Sequence, residues 1–205
     1  MAGISFGALR LSVLPTVYEP AEDSFLLATY ASGLSGRVLE IGCGCGIVSL
    51  SAARANHANP VLGVDINPQA VECCQKNAKA NWIGNASFIQ SDLFFALPSG
   101  STFDFILFNP PYLPTTREEK LKLEAENAAY DGGTSGLEVF MRFAAQASSH
   151  LADGGRVAVI ATSLGGGIGK TLAELEKNIG SAQILAQEPF FFEKIALCEA
   201  ARAPI

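Results

Sequence analysis

Arg37-Val38-Leu39-Glu40-Ile41-Gly42-Cys43-Gly44-Cys45-Gly46-Ile47 is the stretch that decides the fold. It opens as an apolar run over residues 37–41, breaks into alternating glycines, and passes into a helical pattern over Ile47–Ala55. Strand, glycine turn and helix make half of a βαβ unit. Glycines at alternate positions permit a tight turn and let a ligand approach backbone N–H groups at a helix start. Taken alone, such a turn is an ordinary glycine-rich connection. A dinucleotide site asks for G-x-G-x-x-G, and here the third glycine, Gly46, arrives one position early, with Ile47 next.

The same alternation continues outward. A helix is expected after Pro20, with Glu22 and Asp23 in its first turn and Phe25, Leu26, Leu27 and Tyr30 apolar. Beyond the glycines, strand two is Val61–Asp65, followed by Asn67 as cap, Pro68 at the first helical position and a helix to about Asn81. Strand three is Ala86–Gln90 and strand four is Phe103–Phe108, the latter almost wholly apolar as a central parallel strand should be. Residues 114–134 read as a long polar loop, with a short helix over 118–128, and loops of that length are usually functional. A helix over 137–151, strand five over 155–162 and a helix over 170–179 come next. Residues 183–186 and 191–198, joined through Glu188-Pro189, read as a hairpin. The expected architecture is a Rossmann-like α/β domain over residues 1–205: seven mostly parallel strands, helices on both faces, and one antiparallel strand near the C-terminus.

The ligand-facing pattern lies at the strand ends. Asp65 closes strand two roughly 20 residues beyond the glycine loop, where a carboxylate can accept both hydroxyls of a ribose. Asn67 is the better helix cap, which leaves Asp65 available. Asp92 repeats the pattern after strand three, where it would border an adenine. Open α/β sheets bind ligands outside the carboxyl ends of their strands, so three successive ends carrying acids or glycines point to more than any one of them. A methionine-sulfonium nucleoside has no pyrophosphate to cradle, and the shortened glycine pattern suits it. It would approach the backbone N–H groups of Gly42, Gly44 and Gly46 closely, and Glu40 would lie near its positive charge.

Asn109-Pro110-Pro111-Tyr112 is the fourth strand end. Pro-Pro alone can be a loop breaker, but this one follows a buried strand and is bracketed by an amide and a phenol. A planar amide nitrogen attacks a sulfonium methyl better when its N–H bonds point at fixed acceptors. The Asn109 side-chain oxygen and the Pro110 carbonyl can be those acceptors, proline restricts the backbone beforehand, and Tyr112 offers a stacking face.

Other features narrow the class. The chain has 205 residues, 17% charged, and a mean hydropathy of +0.27, yet no apolar run approaches the roughly 20 residues of a bilayer span. No secretory signal opens it, so the cytoplasm is expected. Cys43, Cys45, Cys73, Cys74 and Cys198 lack paired C-x-x-C spacing, so reduced thiols and no metal are expected. A net charge of −6 opposes autonomous DNA binding. The stretch Gly165 to Thr171 ends like a P-loop but has Leu164 where the first glycine belongs, so it reads as a plain connection. His57 and His150 sit near helix ends and are not expected to act as bases.

Together the glycine loop, Asp65, Asp92 and Asn-Pro-Pro-Tyr resemble class I S-adenosylmethionine-dependent methyltransferases acting on nitrogen conjugated to a planar group. Val17-Tyr18-Glu19-Pro20-Ala21-Glu22-Asp23-Ser24-Phe25-Leu26-Leu27 sharpens the resemblance to the eukaryotic and archaeal branch of release-factor glutamine methyltransferases. Asp131-Gly132-Gly133 and Gly136-Leu137-Glu138-Val139 are similar to that branch's segment after the catalytic loop. Few residues precede strand one, which matches the branch without an added N-terminal helical domain. The resemblance implies S-adenosylmethionine as cofactor, contacted by Ser24, Glu40, Gly42, Asp65, Asp92, Leu93 and Asn109. Residues 1–32 would cover the cofactor site. It implies that Asn109 to Tyr112, with Leu113, hold the glutamine of the Gly-Gly-Gln motif in a translation termination release factor. The same tetrapeptide serves enzymes acting on adenine N6 or RNA guanine N2, and a non-catalytic cofactor-binding module is a further alternative. The family also implies a small zinc-binding activator protein that adds to edge strand Ala86–Gln90. Trp82 and Ile83 either form an apolar patch beside that edge or pack inward in a self-sufficient monomer.

Overall fold

A computed structural model describes residues 2–111, 137–164, 167–190 and 193–203. The chain forms two compact units, Met1–Ser99 and Gly100–Ile205. In the first, β1 (Ala2–Phe6) and β2 (Leu9–Val13) make an antiparallel hairpin, followed by α1 (Glu22–Ala31), β3 (Val38–Ile41), α2 (Ile47–Ala55), β4 (Val61–Asp65), α3 (Pro68–Ala80) and β5 (Ala86–Gln90). The second contains β6 (Phe103–Phe108), α4 (Glu138–Ala147), a 3₁₀ turn Ser148–His150, β7 (Leu151–Thr162), α5 (Gly167–Asn178), β8 (Ala182–Phe190) and β9 (Glu193–Ala201). The main sheet has seven strands in the order β5-β4-β3-β6-β7-β9-β8. Strands β3, β4 and β5 run parallel, as do β6 and β7, whereas β9 lies antiparallel to both β7 and β8. This is the Rossmann-like sheet read from the sequence.

In the first unit every residue of β3 is buried, and seven successive residues of α2, Ile47 to Ala53, are buried with it. The small side chains of α2 allow that depth. At the neighbouring strand, Gly63 is obligatory for a packing reason: a Cβ there would sit 2.6 Å from the Phe88 ring and 3.0 Å from the Cys43 Cβ. Gly63→Ala is therefore expected to cost roughly 1–3 kcal/mol by overpacking and to lower the thermal midpoint. An unchanged melting curve would show that the Phe88 ring yields freely.

In the second unit α4 buries Phe140, Phe143, Ala144 and Ala147, an i, i+3, i+4, i+7 stripe. Phe143 stacks at a tilt on Phe108, the last residue of β6, with ring centroids 4.7 Å apart.

Several sequence expectations need correction. The helix expected over 137–151 ends at Ala147, and Leu151 opens β7. Leu151 lies four residues beyond Ala147, so helical periodicity alone cannot separate it from the stripe. The strand expected over 155–162 accordingly starts at Leu151. The helix expected from 170 begins at Gly167, whose φ of 77° admits the chain. Glu188-Pro189 is not the hairpin connection: it lies inside β8, where Pro189 pairs with Lys194. Strand β8 ends the sheet order, and an edge position tolerates a residue without an N–H. The short helix expected over 118–128 falls outside the described residues. The N-terminal hairpin was not anticipated.

Candidate active site

The glycine loop is shaped by its own backbone and by two carboxylates. Gly42, Gly44 and Gly46 all have positive φ, at 68°, 54° and 87°, a region open to glycine at little cost. Gly46 caps α2 and has no side chain to do it with. The orphan N–H of Ser49 instead donates to the Glu40 Oε2 at 2.8 Å, and the Ser49 hydroxyl donates to the same oxygen. Glu40 is only 4% exposed, so its carboxyl is turned onto the first turn of α2. Burial pushes its pKa up to about 8 against the Ser49 hydrogen bonds, and the Asp65 charge adds to the rise.

That shift has a consequence for stability. Between about 4.5 and about 8 the folded chain keeps a Glu40 proton that the unfolded chain has released. Stability from this group is therefore full at acid pH and is lost as pH rises through about 8. Glu40→Gln is expected to flatten that decline by a few kcal/mol at most, seen in urea midpoints at about pH 5 and about pH 8.5. Equal pH slopes in variant and parent would contradict the assignment.

Asp65 is not left free, as the cap argument expected. Its Oδ2 accepts the Gly44 N–H and its Oδ1 accepts the Asn67 N–H, both at 2.9 Å. Burial raises its pKa while those backbone hydrogen bonds oppose the rise. Asn67 does cap α3, its side-chain oxygen accepting from Gln69 N at 2.9 Å. The next strand end is tied in by Ser91. Its N–H donates to the Asp65 carbonyl at 2.9 Å, its hydroxyl donates to the Leu93 carbonyl at 2.8 Å, and it accepts from Ala96 N at 2.9 Å. This brace holds Leu93 at φ 49°, an uncommon value for a side chain bearing a γ-branch. Asp92 stands exposed beside it. The structure thus links Gly44, Asp65 and Leu93 by hydrogen bonds through Ser91 within the first unit, with Asp92 between Ser91 and Leu93 in the chain.

Ser24 is buried near the start of α1. Its N–H and hydroxyl donate to the Asp23 Oδ1 at 2.5 and 3.2 Å, and Tyr18 donates its hydroxyl to the Asp23 Oδ2 at 3.0 Å. In the second unit Asn109 follows the buried Phe108 directly; Asn109 and Pro111 are half-buried and Pro110 is buried. Tyr112 and Leu113 lie outside the described residues.

Sequence reasoning passed over Ser49, Ile66, Asp23 and Ser91. Ile66 carried a readable signal, an apolar residue directly after the strand-end acid, and it is exposed. Asp23 read only as a helix-dipole acid, although it is almost fully buried. All five cysteines are buried and unpaired, and burial pushes the Cys45 thiol up to about 12, which makes it a packing group more than a nucleophile.

An S-adenosyl nucleoside fits these residues. A Cβ on Gly44 would meet open space, so the loop leaves room there, and the Asp65 carboxylate and exposed Ile66 are adjacent. No helix among the described residues is long and apolar enough to cross a membrane.

Comparison with known proteins agrees. Residues 21–192 match the family described as methyltransferase small domain. A Methanocaldococcus jannaschii protein that carries the provisional name protein N5-glutamine methyltransferase is 40% identical, over 97% of this chain and 98% of its own. A release factor glutamine methyltransferase of Geobacter sulfurreducens is 29% identical, over 93% of this chain and 68% of its own. Among solved structures, the E. cuniculi Mtq2-Trm112 complex, responsible for methylation of the eRF1 translation termination factor, superposes with a TM-score of 0.70. It is 24% identical, covering 92% of this chain and 99% of that one, and speaks for the fold alone.

Proposed function

We propose, from the premise that this chain belongs to the methyltransferase small domain family, that it transfers a methyl group from S-adenosylmethionine to the side-chain amide of a release-factor glutamine. The observation that carries the cofactor reading is Asp65, whose two oxygens already organise the glycine loop and the start of α3 while lying next to open space at Gly44. Gly42, Gly44, Gly46, Asp65, Asp92, Leu93, Ser24 and Glu40 form the cofactor side, with Glu40 acting from beneath through Ser49. Residues 1–32 belong to that side too, within a single functional domain over 1–205.

The bound cofactor would supply an electrophilic methyl on a sulfonium. Everything else falls to the chain. Asp65 holds the ribose, Ile66 offers an apolar face to the purine, and Asn109 and the Pro110 carbonyl accept the two N–H bonds of the acceptor amide. Those hydrogen bonds polarise the amide and aim its nitrogen before reaction, so no general base is needed and the proton leaves to water. Tyr112 and Leu113 complete the acceptor side.

Incubation with methyl-labelled S-adenosylmethionine and either purified release factor or nucleic acid tests the proposal. Label on a glutamine of the release factor supports it. Label on adenine N6 or guanine N2 alone would replace the acceptor, and tight cofactor binding without transfer to anything would indicate a non-catalytic module.

The edge of the sheet supports a partner. Strand β5 ends the strand order, and Trp82 just before it is 93% exposed at φ 58°. The left-handed turn at Trp82 closes α3, its N–H donating to the Lys79 carbonyl at 3.2 Å and the Ile83 N–H to the Ala78 carbonyl at 3.0 Å, whereas the indole itself stands in solvent. Beside it, Gln75, Ala78, Lys79, Ile83 and Phe88 line a groove. We take this edge as the seat of a small activator subunit, of the zinc-binding kind the sequence resemblance implies, joining by strand addition.

A further inference from the structure

The N-terminal hairpin is held in an unusual way. Strand β2 pairs with β1 along one edge, and its other edge faces two side-chain amides, Asn77 in the last turn of α3 and Asn81 at its C-cap. Asn81 accepts the Arg10 N–H at 2.9 Å and donates to the Arg10 carbonyl at 2.8 Å. Asn77 accepts the Ser12 N–H at 2.9 Å and donates to the Ser12 carbonyl at 2.9 Å. A primary amide presents the same donor and acceptor as a peptide group. Four residues of helix rise about 6 Å and two residues of strand about 6.7 Å, so asparagines four apart can mimic a neighbouring strand.

Asn77 has a further bond that Asn81 lacks. Its amide also donates to the Cys45 carbonyl at 2.9 Å, inside the glycine loop, and the side chain is 2% exposed. One buried amide is therefore shared between the hairpin and the loop. The Cys45 carbonyl belongs to the peptide that carries the Gly46 N–H, which itself donates to the Cys43 carbonyl at 2.7 Å. If the hairpin leaves, Asn77 loses its acceptor role and one of its donor roles, and the freed groups turn to water entering from the vacated side. The amide would then be drawn away from Cys45.

We propose that Asn77 is a positioning residue for the glycine loop, and that through it docking of the N-terminal hairpin is thermodynamically coupled to cofactor binding. The inference rests on the reading that this loop binds S-adenosylmethionine. Coupling is reciprocal: what the hairpin does for the cofactor, the cofactor must do for the hairpin.

The experiment measures two quantities on the full chain: S-adenosylmethionine affinity by calorimetry, and hydrogen exchange at the Ser12 and Arg10 amides with and without S-adenosylmethionine. In the parent, saturating cofactor should slow exchange at both amides. Asn77→Asp keeps the acceptor but loses both donor bonds, and should raise the cofactor Kd about tenfold and abolish that protection. The KM for cofactor should rise with kcat within about twofold, a split that a general loss of structure would not give. Asn81→Asp loosens the hairpin at the Arg10 carbonyl only and leaves Asn77 on both Ser12 and Cys45, so the Kd should rise by a smaller factor, roughly threefold, with cofactor still protecting Ser12. Ser12→Pro acts from the hairpin side, since it deletes the N–H that Asn77 accepts and fixes φ at an exposed strand position, and it serves if Asn77→Asp fails to fold. Parent-like affinity in Asn77→Asp or Ser12→Pro, or Ser12 exchange indifferent to cofactor in the parent, overturns the coupling alone. Failure of the parent to bind S-adenosylmethionine overturns the cofactor reading and the coupling with it.

Discussion

Asn109→Ala is expected to lower turnover by on the order of 100-fold or more while leaving cofactor affinity within a few-fold. The residue sits on the half-buried step between the packed end of β6 and a buried proline. Phe108 is locked against Phe143, so the start of the tetrapeptide is anchored by the core of the second unit. Proline then limits the backbone that follows. What the substitution removes is an aimed acceptor, and alignment of a weak nucleophile is where enzymes gain most from fixed dipoles. Single-turnover kinetics with saturating S-adenosylmethionine, alongside calorimetric titration, separate the two effects. Near-normal turnover in the variant would refute the role, and an equal loss of affinity and turnover would move Asn109 to the cofactor side.

Asp65→Ala should be the most damaging change on the cofactor side. Two charge-assisted hydrogen bonds to a ribose are worth roughly 1.5–3 kcal/mol each, so affinity should fall at least 100-fold. The structure adds a second source of loss. The same carboxylate holds the Gly44 N–H and the Asn67 N–H, so the variant also frees the glycine loop and the approach to α3. Asp65→Asn should recover part of the affinity, because one oxygen remains to accept a backbone N–H. Calorimetry on both variants, with thermal melts to confirm folding, tests this. Unchanged affinity in Asp65→Ala would sink the ribose assignment, and tight NAD binding by the parent would overturn the cofactor altogether.

Much of the candidate site was legible because its parts are local. The glycine spacing over Gly42 to Gly46, the acid at the end of β4 and the Asn109-Pro110-Pro111 step each follow a strand directly, and their chemistry depends on residues within one turn. Asn67 as cap of α3 is of the same kind, a bond to a residue two positions on. The misreadings share one cause as well. Leu151 continued a helical period into a strand, and Pro189 read as a breaker because nothing local says that β8 is an edge. The hairpin did alternate at Leu9, Leu11 and Val13, but an isolated two-stranded hairpin is marginal, and its support comes from Asn77 and Asn81 more than 60 residues away.

The sequence by itself therefore determined the alternation of strands and helices, the parallel sheet, and the order of the strand ends that carry the candidate site residues. Those properties follow from side-chain period and turn chemistry, which act between near neighbours. Only the tertiary structure decided where the polar groups without a local partner spend their hydrogen bonds. Glu40 faces α2 because a capping glycine leaves the Ser49 N–H unmet. Asp65 is committed to Gly44 because β4 ends beside the loop, and Trp82 is exposed because the turn out of α3 takes a left-handed residue there. Burial and orientation arise when distant segments compete for the same buried donors and acceptors, and that competition has no signature in any single window of residues.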